Sequence, residues 1–139
     1  MSDFTGLYDV RDFRPTDRSF VLATFLRGLY YGDSWFSEIP KDIFMDNYKR
    51  VIEAMLNSPN VTVKVACLKE DSDVILGYSI LSSDFTTIHW VYCKSAWRKK
   101  GIGRSLIPAY PSIYTHLSAL GKSLRSKIPS AIFNPFALS

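Results

Sequence analysis

The stretch Val91-Tyr92-Cys93-Lys94-Ser95-Ala96-Trp97-Arg98-Lys99-Lys100-Gly101-Ile102-Gly103 decides how the rest of the chain is read. A strand over 86–94, carrying Ile88, Trp90 and Val91, leads into it, and a helix leaves it toward Ile107 or Tyr110. At such a junction successive backbone N–H groups and the positive end of a helix can face one anion. Glycine at 101 and 103 lets the backbone approach a phosphate with no Cβ in the way. Arg98, Lys99, Lys100 and Arg104 add positive charge around it. The Gly-Lys-Ser/Thr ending of a nucleoside-triphosphate loop is missing, as are the third glycine and downstream acid of a dinucleotide fingerprint. A pyrophosphate site is the reading that remains.

The distribution of charge agrees with an anion at this end. Residues 1–84 carry all 13 acids against 9 Lys and Arg, whereas residues 85–139 carry 8 Lys and Arg and no acid. That half suits an anionic partner, whether a phosphorylated cofactor, nucleic acid or an acidic protein; the alternative is a solvated basic surface. It also means that no Asp or Glu from residues 85–139 can act as a general base. Lys122, Arg125 and Lys127 lack interleaved aromatics or a recognition helix, so they read as a solvated turn, not a nucleic-acid surface.

Working outward, the 139 residues, 47% hydrophobic and 14% aromatic, describe a single globular domain spanning 1–139 with a substantial core. No apolar run approaches the ~20 residues of a membrane helix, and Met1-Ser2-Asp3-Phe4 lacks the features of a secretory signal. Cys67 and Cys93 form no CxxC pair, which excludes a disulfide scaffold or a thiolate zinc site and suits a reducing cytoplasm. No metal is expected.

A strand over 10–13 ends at Arg14-Pro15-Thr16-Asp17, and Thr16 or Asp17 can cap a helix carrying Phe20, Val21, Phe25 and Leu29. Residues 30–37 read as an aromatic loop. Pro40 opens a second helix whose apolar face is Phe44, Tyr48, Val51, Ile52 and Met55. The period then becomes two: Val61, Val63, Val65 and Cys67 mark a half-buried strand, and a turn at Glu70-Asp71-Ser72-Asp73 returns it over 74–81. Pro108 and Pro111 would each cost a helix ~3 kcal/mol, so 112–118 reads as a strand. A basic turn or short helix over 121–127 and a short strand over 131–133 follow. The order is β-α-α-β-β-β-α-β with a short tail.

This order, with Arg98-x-x-Gly101-x-Gly103 between strand and helix, resembles the GNAT N-acetyltransferases, whose acyl-CoA motif has the core Arg/Gln-x-x-Gly-x-Gly/Ala. Arg14-Pro15-Thr16-Asp17 is similar to the family's usual start, and the likeness spans about residues 8–118. Ile39-Pro40-Lys41-Asp42, Ile88-His89-Trp90-Val91-Tyr92-Cys93-Lys94, Tyr114-Thr115-His116 and Phe133-Asn134-Pro135-Phe136 resemble small GNAT-like proteins encoded by bacteriophages. The resemblance implies an α+β fold: a mixed, mostly antiparallel central sheet, helices on both faces, and a splay between strands four and five. Acetyl-CoA or CoA would lie in that splay as cosubstrate. The backbone of Tyr92, Cys93 and Lys94 would face its pantetheine arm, and Arg98, Lys99, Lys100, Gly101, Ile102, Gly103 and Arg104 its pyrophosphate. One N–H of that strand would polarise the thioester carbonyl.

The implied reaction is transfer of acetyl to an amine, on a small molecule or a protein, by direct attack. The family's strand-four Glu falls near Thr87, which cannot serve as a base. His89, two residues on, should share its face and has a suitable ordinary pKa of about 6.5. His116, the other histidine, falls on the neighbouring strand. Either could instead be a hydrogen-bonded structural histidine. The family's C-terminal tyrosine acid has no counterpart from Thr115 to Ser139, and Tyr114 is the nearest candidate. Another group could supply the acid, the thiolate could leave unassisted, or the protein could be a non-catalytic module acting through protein contacts, as an accessory or virion protein. Cys93 reads as an acyl-carrying nucleophile or a core residue. Tyr30, Tyr31, Trp35 and Phe36 read as substrate contacts or packing. An exposed sheet edge would allow a homodimer.

Overall fold

The computed structural model describes residues 6–32, 34–98, 101–107, 113–116 and 132–134. Strand β1, Tyr8–Asp12, is followed by a single 3-10 turn at Pro15–Asp17 and helix α1, Arg18–Gly32. A helical turn, α2 at Ser34–Ser37, precedes the long helix α3, Lys41–Asn57. Strands β2, Val61–Leu68, β3, Ile75–Ser82, and β4, Thr87–Cys93, come next. The chain then passes through a 3-10 turn at Ser95–Trp97 into α4, Ile102–Leu106, and returns to the sheet as β5, Ile113–Tyr114, and β6, Ile132–Phe133.

The sheet runs in the order β1-β2-β3-β4-β5-β6. The first four strands are antiparallel neighbours, and β4–β5 and β5–β6 are parallel. It is thus mixed and mostly antiparallel, as the sequence led one to expect. Helices cover both faces. Val21, Phe25 and Leu29 of α1 and Phe44, Ile52 and Met55 of α3 pack on Val63, Val65, Tyr78, Ile80 and Trp90. On the other face Ile102 and Leu106 of α4 pack on Tyr8, Ala66, Leu76 and Cys93. The α4 side needs glycine at 77, where a Cβ would lie 2.5 Å from the Tyr92 carbonyl and 3.2 Å from Cys93 Cα.

A buried ion pair ties the start of the chain to the β2–β3 turn. The Arg11 guanidinium donates to both Asp17 oxygens at 2.8 and 2.9 Å and also to the Ser72 carbonyl. Asp17 additionally accepts the Arg14 backbone N–H at 2.8 Å. Burial alone would raise the pKa of this carboxyl, but Arg11 and the Arg14 amide outweigh it and hold it below its ordinary value.

Several boundaries differ from the sequence reading. β1 starts at Tyr8, whose ring is buried, and Phe13 lies beyond it. The expected loop at 30–37 is instead the end of α1 plus α2. Tyr30 is buried against Phe44, and its hydroxyl donates to the Ile39 carbonyl at 2.8 Å, so tertiary contacts hold the end of α1 as far as Gly32. Helix α4 stops at Leu106 because Ile107 is extended, at φ −110 and ψ 153. Proline at 108 disfavours helical backbone in the residue before it. Tyr110, Ser112, Leu117, Ser118 and the turn expected at 121–127 lie outside the described residues. The strand expected at 112–118 is seen there as Ile113–Tyr114, and that at 131–133 as Ile132–Phe133.

Candidate functional site

Strand β4 carries the site, and its irregularity arranges it. Ile80 pairs with Trp90 but Leu81 pairs with Ile88, so His89 is the extra residue of a β-bulge. The bulge breaks the alternation by which Thr87 and His89 were expected to share a face. Ile88 packs with Leu81 and Val91, whereas Trp90, two residues on, packs with the α1–α3 core. The backbone changes parity too. Before the bulge the Thr86 and Ile88 carbonyls accept N–H bonds from Ile113 and Thr115 at 3.2 and 3.0 Å. After it, Lys94 N–H turns the other way and donates to Leu76 at 2.8 Å.

Two consequences follow for the expected cofactor strand. Lys94 N–H is committed to β3, and the Tyr92 carbonyl lies over Gly77 on that same side. Of the three residues assigned to a pantetheine arm, Cys93 is therefore the one whose backbone faces the outer edge. Its carbonyl accepts Arg98 Nε at 3.1 Å, which fixes the first basic side chain of the motif. Among the described residues β5 pairs with β4 at Thr87–Ile113 and Ile88–Tyr114, while β4 continues to Cys93 with no described strand beside its outer edge.

At the end of that edge Gly101 has φ +85, a left-handed conformation that favours glycine, and a Cβ there would meet nothing within 4 Å. The first helical bond of α4 runs from Ser105 N–H to the Gly101 carbonyl. The amides of Ile102, Gly103 and Arg104 precede it and have no carbonyl within the helix to reach. Arg104 is exposed. Lys99 and Lys100 lie outside the described residues. The donors and the open space fit a phosphate group. Among the described residues no cluster of three His, Cys, Asp or Glu is placed to hold a metal ion.

Both histidines meet beside the bulge. His89 is 2% exposed, and its Nδ1 lies 3.1 Å from Thr115 Oγ1. Thr115 Oγ1 lies 2.9 Å from His116 Nδ1, which is also 3.1 Å from the His89 carbonyl. His116 Nε2 is hydrogen-bonded to the Tyr48 hydroxyl from α3. Phe25, Tyr48 and Trp90 present edge-on contacts to the His116 ring at 5.5, 5.8 and 6.5 Å. Burial lowers the pKa of His89. Burial, and then the neighbouring His89, push His116 down to about 4, against a smaller opposing effect of its bond to the His89 carbonyl. Burial also pushes Tyr48 up to about 12, so the phenol keeps its proton.

Tyr114 takes a different side, packing with Leu81, Ile88, Val91 and Ile107. Cys93 is buried, and burial raises its thiol pKa despite Arg98, which disfavours the thiolate a nucleophile needs. Tyr30 is core, whereas Tyr31 and Trp35 are 62% and 67% exposed. Sequence reasoning missed Thr115 and Tyr48. Thr115 sits beside His116 in a strand already assigned to the site, so its placement was within reach. Tyr48 fell on the apolar face of its helix, and nothing local joins it to a residue 68 positions away.

No family model matches the chain, and no curated protein matches it. Solved structures do resemble it. A Pyrococcus furiosus protein provisionally assigned as an acetyl transferase aligns at TM-score 0.58 and 18% identity, over 71% of this chain and 68% of its own. A possible acetyltransferase of Clostridium difficile 630 aligns at TM-score 0.50 and 16% identity, over 91% and 76%. A GCN5-related N-acetyltransferase of Rhodopseudomonas palustris aligns at TM-score 0.50 and 20% identity, over 76% of this chain and 62% of its own. The chain therefore has the GNAT fold. At such identities the likeness is one of fold, and chemistry has to be argued from the site.

Proposed function

We propose that the protein binds acetyl-CoA, or a close acyl-CoA, and transfers the acyl group to an amine of a small molecule or a protein. The observation that carries this reading is the outer edge of β4, which among the described residues has no strand partner beyond Ile88. It runs from the His89 bulge past Cys93 toward the left-handed Gly101 turn, and β5 is bonded to it through the Thr86 and Ile88 carbonyls. An extended pantetheine arm could lie along that edge and place its diphosphate over Gly101 to Arg104.

The Gly101 turn, the first amides of α4 and the side chains of Arg98, Lys99, Lys100 and Arg104 would hold the phosphates. Cys93 N–H, on the outer side of the strand, would position the arm. Fixing the cosubstrate along its length and admitting the amine beside His89 turns a bimolecular encounter into an oriented one, which supplies much of the rate. The thioester brings the activated acyl carbon. The amine lone pair attacks it, the C–S bond breaks, and the proton lost by the amine balances the departing thiolate as CoA thiol. His89 on β4, Tyr114 on β5 and His116 just beyond it are ionisable side chains near the proposed reacting end, and His89 lies directly on the bulge.

Calorimetric titration with acetyl-CoA tests this reading, with Gly101→Glu and Arg104→Glu alongside. Micromolar binding that both variants weaken is expected. Absence of binding to the wild-type chain would overturn it and leave the GNAT fold serving protein contacts.

A further inference from the structure

We propose that Tyr48, His116 and Thr115 form a directional hydrogen-bond chain that locks His89 with its hydrogen on Nε2, so that His89 acts as a hydrogen-bond donor to a carbonyl oxygen and not as a general base. The inference rests on the acyl-transfer reading for its role, but the chain itself is a property of the free protein.

The direction follows from which atoms can only accept. The His89 carbonyl lies 3.1 Å from His116 Nδ1, and a carbonyl has no hydrogen to give, so Nδ1 carries the hydrogen. A neutral His116 then has a lone pair on Nε2, and the Tyr48 hydroxyl donates to it. The same Nδ1–H lies 2.9 Å from Thr115 Oγ1, which it reaches as a second acceptor. The Thr115 hydroxyl hydrogen is left with two acceptors: His89 Nδ1 at 3.1 Å and the His89 carbonyl at 3.5 Å. The carbonyl is the longer contact and already takes the His116 hydrogen. Thr115 therefore donates to His89 Nδ1, and the remaining imidazole hydrogen of His89 sits on Nε2.

The reverse direction would set the lone pair of His116 Nδ1 against a carbonyl oxygen in a buried site, where such repulsion is poorly screened. A doubly protonated His116 would relieve it. However, the groups around that ring are the Tyr48 phenol, His89, Phe25 and Trp90, and the described contacts include no carboxylate that could stabilise an imidazolium. The bulge makes the arrangement available, because it turns the His89 carbonyl as well as that of Ile88 toward β5.

Among the described residues His89 Nε2 has no hydrogen-bond partner. An N–H fixed there suits a thioester or amide carbonyl, whose oxygen gains negative charge as an amine adds. Tyr48, Thr115 and His116 are positioning residues in this scheme. The amine would have to arrive unprotonated, and its proton would pass to solvent and balance the thiolate.

The chain contains two histidines, so histidine-labelled protein without a tag gives two sets of ring signals, assigned with His116→Gln. Nitrogen NMR at pH 7 should show His89 with hydrogen on Nε2 and His116 with hydrogen on Nδ1. An Nδ1–H or charged His89, or an Nε2–H His116, would overturn the proposal. In Thr115→Val the lock on His89 should relax to mixed tautomers while His116 keeps its Nδ1–H, and Thr115→Ser should restore the wild-type pattern. An unchanged His89 in Thr115→Val would show that Thr115 does not set it. These readouts need no acyl transfer, so failure to bind acetyl-CoA and failure of the hydrogen-bond chain are separate results. With turnover in hand, Thr115→Val should lower kcat about tenfold while leaving KM for acetyl-CoA within twofold, about 1.4 kcal/mol in the barrier. Equal losses in both would point to a merely structural role.

Discussion

Strands β2 and β3 are paired from Val61–Ser82 to Cys67–Ile75, whereas among the described residues β4 and β5 share Thr87–Ile113 and Ile88–Tyr114. The first pair lies in the middle of the sheet, covered on both faces, and β1 adds the Arg11–Asp17 tie to it. The second pair is followed by a bulge in β4, beyond which no described strand lies along the outer edge of β4. Full pairing stabilises and carries no site. Incomplete pairing forgoes ladder hydrogen bonds and exposes backbone donors at a fixed spacing, which is what an extended ligand can use. Changes in the first region should therefore move stability, and changes in the second should move binding or proton positions.

The largest expected effect belongs to the first region. Arg11→Ala leaves the buried Asp17 without its guanidinium and with the Arg14 amide as a remaining partner, and should lower unfolding free energy by about 3 kcal/mol in a denaturant titration, with acetyl-CoA affinity of the folded protein unchanged. A parallel loss of affinity would break the separation between the regions. Gly77→Ala comes next: its Cβ would meet backbone of β4 at 2.5 Å, which a rotamer change cannot relieve. About 3 kcal/mol, at the upper end for overpacking, is expected by thermal melting.

Acid should separate the regions in sequence. His116 falls from its ordinary value to about 4 on folding, so the unfolded chain binds the proton more readily. Stability from the neutral ring is present above about pH 6.5 and is lost as pH falls toward 4, on the order of 3 kcal/mol. Asp17 has the lowered pKa of a paired carboxylate, so its contribution is retained to below about pH 4 and lost as pH falls further. Melting curves should thus show a first limb that His116→Gln reduces, leaving the smaller share of His89, whose pKa burial also lowers, and a second that Arg11→Ala removes. A first limb intact in His116→Gln would assign it elsewhere.

Smaller effects sharpen the contrast. Gly101→Ala places a side chain at φ +85 in open space and should cost only about 1 kcal/mol of stability. Acetyl-CoA affinity should nonetheless drop about tenfold or more, a change calorimetry reads directly. The smallest effect is expected at Phe85, which among the described residues is the non-glycine residue with positive φ, at 61 degrees and 43% exposed in the β3–β4 turn. Phe85→Asn should raise stability by about 0.5 kcal/mol, since asparagine tolerates that backbone. Destabilisation would mean that the exposed ring contributes more than its position suggests.

The sequence was most legible where local pattern and packing agree. Alternation at Val61, Val63 and Val65 marks β2 because that face meets the α1–α3 core, whereas Cys67 lies past a register shift and outside that cluster. Pro40 and the apolar face from Phe44 to Met55 mark α3 for the same reason. Residues 30–37 misled because Gly32 amid aromatic residues reads as a loop, while the contacts that hold Tyr30 at the end of α1 come from Phe44 and the Ile39 carbonyl, outside that segment. Within the site, the glycine turn was readable because a left-handed residue leaves a compositional trace. His89 and His116 could be placed on neighbouring strands because topology follows from element order.

What the sequence by itself determined, then, is the order of elements, the identity of the basic glycine turn and the adjacency of two histidine-bearing strands. These depend on periodicity, proline and glycine, whose effects act within a few residues. Only the tertiary structure decided that His89 is the extra residue of a bulge, that Lys94 N–H is spent on β3, and that Tyr48 reaches His116. Bulge placement depends on how two strands register, and hydrogen-bond direction depends on which acceptor lies opposite each donor. Neither is encoded in the spacing of residues along one chain segment. Both arise when the α3 helix and strands β3, β4 and β5 close around the same point.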